Sequence, residues 1–318
     1  MALQTPVALI IFNRPDTTAR LLEALAVVAP TRLLVVADGP RPGRVDDIEK
    51  CAATRALIDQ ITWDCEVLTH YSDENLGCGW GPASGISWVF EQVEEAILLE
   101  DDCVPDPTFF RYSEELLERY REDERVMLIA GTCFRPLEHI TRYSYTFTRY
   151  TQTWGWATWR RAWRHFDFKV EMWPTLRNTA WLTDTLGDRR AAEYMGALFD
   201  EAYAGAPPVD YWDYQWTFAC WAQSGLTIVP ETNLVSNIGW GPDATHTLVV
   251  GEERDRQATH AMEFPLRHPP YVVRNREADD IIASVGYLRP GLYPWLRWRL
   301  SMKAPMWARK LRRRLAVR

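Results

Sequence analysis

The N-terminal half of the chain alternates short apolar runs with segments of helical character, and this alternation constrains the fold most. The runs occupy residues 6–12, 32–37, 65–70 and 96–99. Short continuous apolar runs are typical of strands that are buried on both faces of a parallel sheet. Since helical segments separate the runs, the pattern predicts repeated strand–helix units and an α/β fold with a mixed, mainly parallel sheet flanked by helices.

Several helices and turns can be placed from local signals. Asp16 is predicted to cap the first helix, which would then begin at Thr17. The glycine-rich segment 75–82 is predicted to be a loop, followed by a helix from about residue 82 to residue 94. Further helices are predicted near 189–204 and 212–223.

Polar residues follow the ends of the first three predicted strands. Ligands of open parallel sheets bind outside the carboxyl ends of the strands, so we expect these residues to contact a ligand. Arg14 suits a phosphate or a base edge, and Asp38 suits a base or a ribose. Glycine lets the backbone approach a ligand closely. The predicted ligand-binding residues are Asn13, Arg14, Asp38, Asn75 and Gly77.

Three adjacent acids, Glu100, Asp101 and Asp102, end the fourth predicted strand. Neighbouring carboxylates repel one another unless a cation or hydrogen-bond donors compensate. Mg²⁺ and Mn²⁺ take carboxylate oxygens together with substrate phosphates. We expect Asp102 to contact such a metal, and Glu100 or Asp101 to lie near the ligand's sugar groups. The alternative is a solvated acidic turn.

Composition limits the classes of partner. A net charge of −7 over 318 residues argues against bulk nucleic-acid binding, so no nucleic-acid partner is expected. The chain contains 16 tryptophans. An indole can stack on a sugar ring, and we expect Trp154 and Trp156 to wall a donor or acceptor pocket, with packing in the core as the alternative.

An ordered set of motifs carries a resemblance to a known family. The motifs are FNRP, ADGP, NLGCGWG and ILLEDDCVPDPTFF, then TWGWATWRRAW, DYWDYQW and VPETNLVSNIGWGPDATHT, spread over about residues 6–250. The set resembles the bacterial GT-A glycosyltransferases and, more distantly, the N-acetylglucosaminyltransferase I family. The resemblance implies a GT-A (Rossmann-like) fold in which Glu100, Asp101 and Asp102 bind Mn²⁺ or Mg²⁺ and the diphosphate of a nucleotide sugar.

The resemblance also implies a general base and a late metal ligand. The family carries its base in a W-D-D-W-like stretch, which Asp213 matches, while Tyr214 replaces the second acid. A positioned carboxylate can take the proton of an attacking hydroxyl. Asp210 is the fallback base, and the alternative for Asp213 is a helix cap. His246 is the expected additional metal ligand, with a purely structural role as its alternative.

The expected activity is transfer of a sugar from a nucleotide-diphosphate sugar, with a UDP-sugar as the preferred candidate, to a hydroxyl acceptor such as a lipid-linked or cell-surface glycan. The transfer is expected to invert the configuration of the anomeric carbon. The alternatives are a sugar nucleotidyltransferase and a non-catalytic carbohydrate-binding protein. We expect one GT-A domain over residues 1–290, with a nucleotide-sugar-binding half at 1–133 and an acceptor-binding half at 134–290. Residues 291–318 form a basic, Trp-containing tail.

The tail and the cysteines bear on localisation. Basic residues interleaved with Trp and Leu suit an anionic membrane surface, and the alternatives are a disordered tail or one that packs on the acidic body. No apolar run reaches the about 18 residues that span a bilayer. Six scattered cysteines without a C-x-x-C pair are typical of reduced thiols. We therefore expect a cytoplasmic protein, with peripheral attachment to the inner face of the plasma membrane through the tail.

Overall fold

The computed structural model describes residues 2–135, 137, 139–205, 209–239 and 258–284. The strands in this part of the chain are β1 Val7–Ile11, β2 Arg32–Ala37, β3 Glu66–Tyr71, β4 Glu95–Glu100, β5 Cys103–Pro105, β6 Val126–Ala130, β7 Tyr145–Thr148, β8 Trp156–Trp159, β9 Leu226–Pro230 and β10 Val235–Asn237. The helices are α1 Pro15–Val28, α2 Val45–Ala56, α3 Gly77–Gln92, α4 Thr108–Arg119, α5 Arg160–Trp163, α6 Trp173–Leu176, α7 Trp181–Leu186, α8 Arg189–Ala204, α9 Asp213–Ala222 and α10 Arg276–Ser284.

The main sheet of the described residues has eight strands in the order β3-β2-β1-β4-β8-β6-β9-β7. Strands β1 to β4 are mutually parallel, β8 runs antiparallel between β4 and β6, and β9 is parallel to β6. Strands β2 and β3 lie on one side of β1, whereas β4 lies on the other, so the direction of winding reverses between β1 and β4. The expected α/β architecture with a mixed, mainly parallel sheet is confirmed.

Both faces of the sheet are covered, which explains the continuous apolar runs. Along β2, Leu34 and Val36 face one hydrophobic core, while Leu33 and Val35 face the other. Helices α3, α8 and α9 cover the first face, and α1 and α4 cover the second. Burial of each such side chain contributes roughly 1.5–3 kcal/mol relative to exposure. An alternating apolar–polar strand would leave one of the two cores unfilled.

The first helix begins earlier than the sequence predicts. Helix α1 starts at Pro15, with Arg14 at the N-cap position and Asp16 within the first turn. Proline suits the first helical position because its missing N–H would have no partner there. The backbone N–H of Thr18 already donates to the carbonyl of Arg14 at 3.1 Å. Arg14 therefore stands at the junction of β1 and α1, directly beside the carboxyl end of the sheet.

The glycine-rich segment is helical, so the predicted loop at 75–82 is wrong from residue 77 onward. Helix α3 begins at Gly77 because the carboxylate of Asp38 accepts its first backbone donors. These are the N–H groups of Leu76, at 2.7 Å, and of Gly77, at 3.0 Å. A capping group supplied by the end of β2, far away in sequence, replaces the local cap that the sequence lacks.

Two further features of the described residues bear on the expectations. None of the helices in these ranges has the length and apolar character needed to cross a membrane. All six cysteines are free thiols. The basic tail at 291–318 and His246 lie outside the described residues.

Candidate functional site

The three acids lie where the winding of the sheet reverses. Glu100 is the last residue of β4, and Asp101 and Asp102 form the turn into β5. Asp101 and Asp102 are only 6% and 8% exposed. The triplet is therefore not a solvated surface turn, and its carboxylates need partners within the protein or from a ligand.

Arg14 supplies one of these partners from across the β1–β4 crevice. Its Nη1 lies 2.6 Å from Oδ2 of Asp102 and 3.2 Å from Oδ1 of Asp101. The backbone N–H of Phe12 donates to the other oxygen of Asp101 at 3.1 Å. Burial alone would lower the pKa of Arg14, but the two carboxylates raise it. A cation or hydrogen-bond donors were expected at the triplet, and the guanidinium of Arg14 supplies part of that compensation.

A second partner comes from β10, which pairs antiparallel with β5. The side-chain amide of Asn237 donates to Oδ1 of Asp102 at 3.1 Å, and the backbone N–H of Ile238 donates to the Asp102 carbonyl at 2.8 Å. A Cβ on Gly239 would overlap the carboxylate of Asp102. Asn237 was not predicted as a site residue, because a strand of three residues gives no periodic signal in the sequence.

Asp213 belongs to the same group of acids. It is the first residue of α9, and it is half-buried. Burial raises the pKa of Glu100, and the charges of Asp102, Asp101 and Asp213 raise it further. Like charges in a poorly solvated site disfavour ionisation, so a cation bound beside these acids would favour their charged forms. Such a constellation in a cleft is typical of functional sites.

Asp210, the fallback base, lies differently. It is exposed, and its carbonyl accepts a hydrogen bond from the thiol of Cys78 at 3.0 Å. The helix-cap alternative for Asp213 is also weakened, because Trp212 and not Asp213 occupies the N-cap position of α9. Asp213 sits in the first turn, where the helix dipole favours a negative charge. The geometry therefore favours Asp213 over Asp210 as the acid next to Glu100.

Asp38, Asn75 and Gly77 come together, as expected, but they bind one another. The Asn75 amide donates to Oδ2 of Asp38 at 2.9 Å and to the carbonyl of Gly39 at 2.8 Å. Burial raises the pKa of Asp38, whereas backbone donors from Leu76, Gly39 and Gly77 oppose that rise. The Asp38 carboxylate is thus already engaged in holding the start of α3.

Asn13 also has a partner within the chain. Its amide donates to Oδ1 of Asp47 at 2.7 Å, and the guanidinium of Arg41 contacts both oxygens of Asp47 at 2.6 and 2.8 Å. Asp47 is fully buried. The burial of Asp47 was not predicted, because the charged residues of helix α2 are typical of a solvated helix. Asn13 and Arg41 together fix the loop after β2 against the loop after β1.

The two tryptophans have different environments. Trp156 is 1% exposed and stacks on Trp212 with ring centroids 5.8 Å apart. It lies in the core, so the expectation that it walls a pocket is wrong for this residue; the continuous packing of indole rings on that face explains its burial. Trp154 is half-buried and meets Phe134 edge-on at 5.2 Å.

Gln152 is a buried polar residue that was not predicted from the sequence as a site residue. It is 5% exposed, and within the described ranges neither its amide nitrogen nor its amide oxygen has a hydrogen-bond partner. It precedes β8, whose first residue, Trp156, pairs with Leu98 near the carboxyl end of β4. Buried amides are normally hydrogen-bonded, so an unpaired one at this edge of the sheet suits a polar ligand.

The described residues do not form a complete metal site by themselves. Among them, no three His, Cys, Asp or Glu side chains converge as metal ligands would. The expected fourth contributor, His246, is outside these residues. A magnesium-type site with one or two carboxylates and several phosphate or water oxygens does not require such a group.

Comparisons with known proteins do not assign the chain to a family. No protein-family model matches it, and a comparison with curated proteins finds no match. The functional interpretation therefore depends on the arrangement of Arg14, Asp213 and the acids at residues 100–102.

Proposed function

We propose that this chain is a metal-dependent glycosyltransferase of the GT-A type. It transfers a sugar from a nucleotide-diphosphate sugar to a hydroxyl acceptor such as a lipid-linked or cell-surface glycan. The preferred candidate for the donor is a UDP-sugar. One observation carries the proposal: the buried carboxylates of Asp101 and Asp102, paired with the guanidinium of Arg14, lie at the carboxyl end of β4, where the winding of the sheet reverses. This is the place where open α/β sheets bind their ligands.

The chemistry of the acids fits Mn²⁺ or Mg²⁺. Hard divalent cations prefer oxygen ligands, and the carboxylates of Asp102 and Glu100, at the turn that follows β4, offer them. A bound ion supplies positive charge that stabilises the departing diphosphate. Arg14 can exchange its contacts with Asp101 and Asp102 for a phosphate oxygen, because a guanidinium binds both kinds of group through charge-assisted hydrogen bonds. Gln152 offers an unpaired donor and acceptor to the hydroxyls of a bound sugar.

Asp213 is the proposed general base. Its carboxylate takes the proton of the acceptor hydroxyl as the oxygen attacks the anomeric carbon and the bond to the diphosphate breaks. The position of Asp213 in the first turn of α9, within electrostatic range of Glu100, supports this role. One-step displacement inverts the anomeric configuration. NMR of the first-formed product should show inversion, and a retained configuration would exclude Asp213 from this role.

Calorimetric titration with UDP-sugars and GDP-sugars, with and without Mn²⁺, tests the proposal. We expect at least one donor to bind more tightly with Mn²⁺, and Asp102→Asn to weaken that binding tenfold or more. Glu49→Gln, which changes an exposed acid of α2, is the matched control and should bind like the wild type.

Three outcomes would contradict the proposal. Binding of no nucleotide sugar would remove its basis. Pyrophosphate release from a nucleoside triphosphate and a sugar phosphate would indicate a nucleotidyltransferase. Carbohydrate binding that Asp102→Asn leaves unchanged, with no transfer activity, would indicate a non-catalytic binding protein.

A further inference from the structure

A groove of about 920 Å³ lies beside β7, at the opposite end of the sheet from β3. Thr146 and Phe147 of β7 contribute to its lining, together with residues from the segments 139–143 and 269–276. Strand β7 is four positions away from β4 in the sheet. At ~4.8 Å per strand this separation is ~19 Å. The groove is therefore distinct from the carboxylate site.

The lining of the groove is cationic. It includes Arg142, Arg274 and Arg276, and among the described residues no Asp or Glu lines it. Arg274 forms an ion pair with the buried Asp279, which also pairs with Arg149. Within the described part of the chain, Arg142 and Arg276 form no ion pair. The groove thus offers two guanidinium groups that no described carboxylate pairs with, on a protein whose net charge is −7.

Aromatic side chains line the same groove. Tyr143 and Tyr271 meet edge-to-face with ring centroids 6.3 Å apart, and Tyr271 is 54% exposed. The guanidinium of Arg142 lies 5.3 Å from the centroid of the Tyr143 ring. An exposed tyrosine presents an apolar face and a polar tip, which suits the mixed surface of a sugar ring. Arginine beside it suits a carboxylate or a phosphate.

Charge and shape together select the occupant. The chain's own segment 291–318 is basic, so a cationic groove would repel it. An anionic membrane is a broad, flat surface, whereas this groove is concave and flanked by β7. Free inorganic anions have no apolar face to pack against the rings of Tyr143 and Tyr271. An elongated anionic saccharide satisfies both the guanidinium groups and the aromatic faces.

We propose that the groove binds an anionic saccharide chain, bearing carboxylate or phosphate groups, as a segment of the acceptor remote from the transfer site. The identification of this saccharide as the acceptor rests on the proposed glycosyltransferase function. The binding of an anionic saccharide in the groove does not depend on that function. A separation of ~19 Å requires an acceptor of several sugar units. The groove would then select long, charged acceptors over short or neutral ones.

Binding of tetragalacturonate to the full chain tests this inference, with maltotetraose as the neutral probe of equal length. We expect tetragalacturonate to bind at least tenfold more tightly than maltotetraose. The double variant Arg142→Ala/Arg276→Ala should weaken tetragalacturonate binding tenfold or more, and Tyr271→Ala should weaken it severalfold. The matched control Arg44→Ala/Arg189→Ala, which changes exposed arginines outside the groove, should bind within twofold of the wild type.

Absence of tetragalacturonate binding, equal binding of both probes, or an unchanged affinity in the double variant would overturn the inference. Inorganic phosphate that binds as tightly as the tetrasaccharide, with Tyr271→Ala unaffected, would reduce the groove to a free-anion site. Vesicles of phosphatidylserine that bind through the same arginines, without tetrasaccharide binding, would indicate a membrane surface instead.

Nucleotide-sugar titration of the double variant separates this inference from the proposed function. We expect its donor affinity to match the wild type, because the groove is remote from residues 100–102. Tetrasaccharide binding in a protein that binds no nucleotide sugar would support the groove and contradict the glycosyltransferase. Donor binding without tetrasaccharide binding would support the glycosyltransferase and contradict the proposed role of the groove.

Discussion

At the scale of single residues, Arg14 and Asp213 decide what the acids at residues 100–102 can do. Arg14 contacts Asp101 and Asp102 from the end of β1, and the charge of Asp213, in the first turn of α9, acts on Glu100. The guanidinium offsets part of the buried negative charge, whereas Asp213 adds to it. A site built this way holds its acids in place without a ligand and still favours an incoming cation.

Substitution of Asp213 by Asn should separate catalysis from donor binding. The amide keeps the shape of the side chain but cannot take a proton, so we expect the rate of sugar transfer to fall about 10²–10⁴-fold while donor affinity changes little. Asp210→Asn is the comparison, and it should transfer sugar at nearly the wild-type rate because Asp210 is exposed. Loss of transfer in Asp210→Asn alone would assign the base to that residue.

The buried Asp47 should make stability depend on pH. Hydrogen bonds from Arg41 lower the pKa of Asp47 well below its usual range, although burial opposes them. A lowered pKa in the folded state stabilises the fold above the unfolded-state pKa of about 3.9, and this contribution is lost as the pH falls below it. Asp47→Asn should therefore lower the free energy of unfolding by about 2 kcal/mol at pH 7.

Urea unfolding at pH 7 and at pH 3 measures this effect. The difference between wild type and Asp47→Asn should shrink at pH 3, because Asp47 of the unfolded chain takes up a proton at that pH whereas the folded carboxylate does not. Asp46→Asn changes the exposed neighbour and should alter stability much less. A difference that is equally large at both pH values would mean that packing, and not the charged hydrogen bonds, explains the loss.

The sequence predicts the acids of the site better than it predicts their partners. Glu100, Asp101 and Asp102 are visible because they end an apolar run. The contact between Arg14 and Asp102 spans 88 residues, and no local signal encodes such a distance. The burial of Trp156 is equally invisible, since an indole that packs in a core and one that binds a sugar look the same in a sequence.

At the scale of elements, the start of α3 shows how tertiary contacts override local signals. The glycines of this segment read as a loop, but the carboxylate of Asp38 caps the helix from another strand. Gly85, further along α3, packs against Val36 of β2, and a Cβ at this position would overlap the Val36 side chain. Gly85 therefore serves close packing of the helix on the sheet.

Gly85→Ala should therefore destabilise the protein by about 1–3 kcal/mol, because overpacking outweighs the better helix propensity of alanine. Gly196→Ala in α8 is the matched control, since its nearest neighbour would be Cδ2 of Leu182 at an ordinary 3.6 Å. It should be neutral or stabilising by up to about 1 kcal/mol. Equal midpoints of thermal unfolding for the two variants would contradict the packing argument.

The strands and helices that were predicted correctly share a property. The run 32–37 coincides with β2, and the predicted helix 189–204 coincides with α8, which carries its own N-cap at Asp188. Such elements encode their ends locally. Strands β5 and β10 are three residues each and exist only as a pair, so their position depends on contacts between distant parts of the chain.

At the scale of the whole molecule, one sheet separates two sites. The carboxylate site lies at the β1–β4 reversal, and the cationic groove lies at the β7 edge, ~19 Å away by strand spacing. The expected nucleotide-binding and acceptor-binding halves both contribute strands to this sheet. The alternation of apolar runs predicts the sheet, but the antiparallel strands β7 and β8 that extend it toward the groove follow no such pattern.

Dependence on a divalent ion should hold for the whole enzyme. Removal of metal with EDTA should abolish sugar transfer, and added Mn²⁺ should restore it, because the departing diphosphate needs the positive charge. Circular dichroism should be unchanged by EDTA, since Arg14 and Asn237 already hold Asp102. Full activity after EDTA treatment would contradict the proposed role of the ion.

A crystal structure with Mn²⁺ and UDP tests the central claim most directly. The anomalous signal of manganese should appear between the carboxylate of Asp102 and the diphosphate, with the nucleotide in the crevice between β1 and β4. Manganese absent from this position, with the nucleotide bound elsewhere on the protein, would contradict the account.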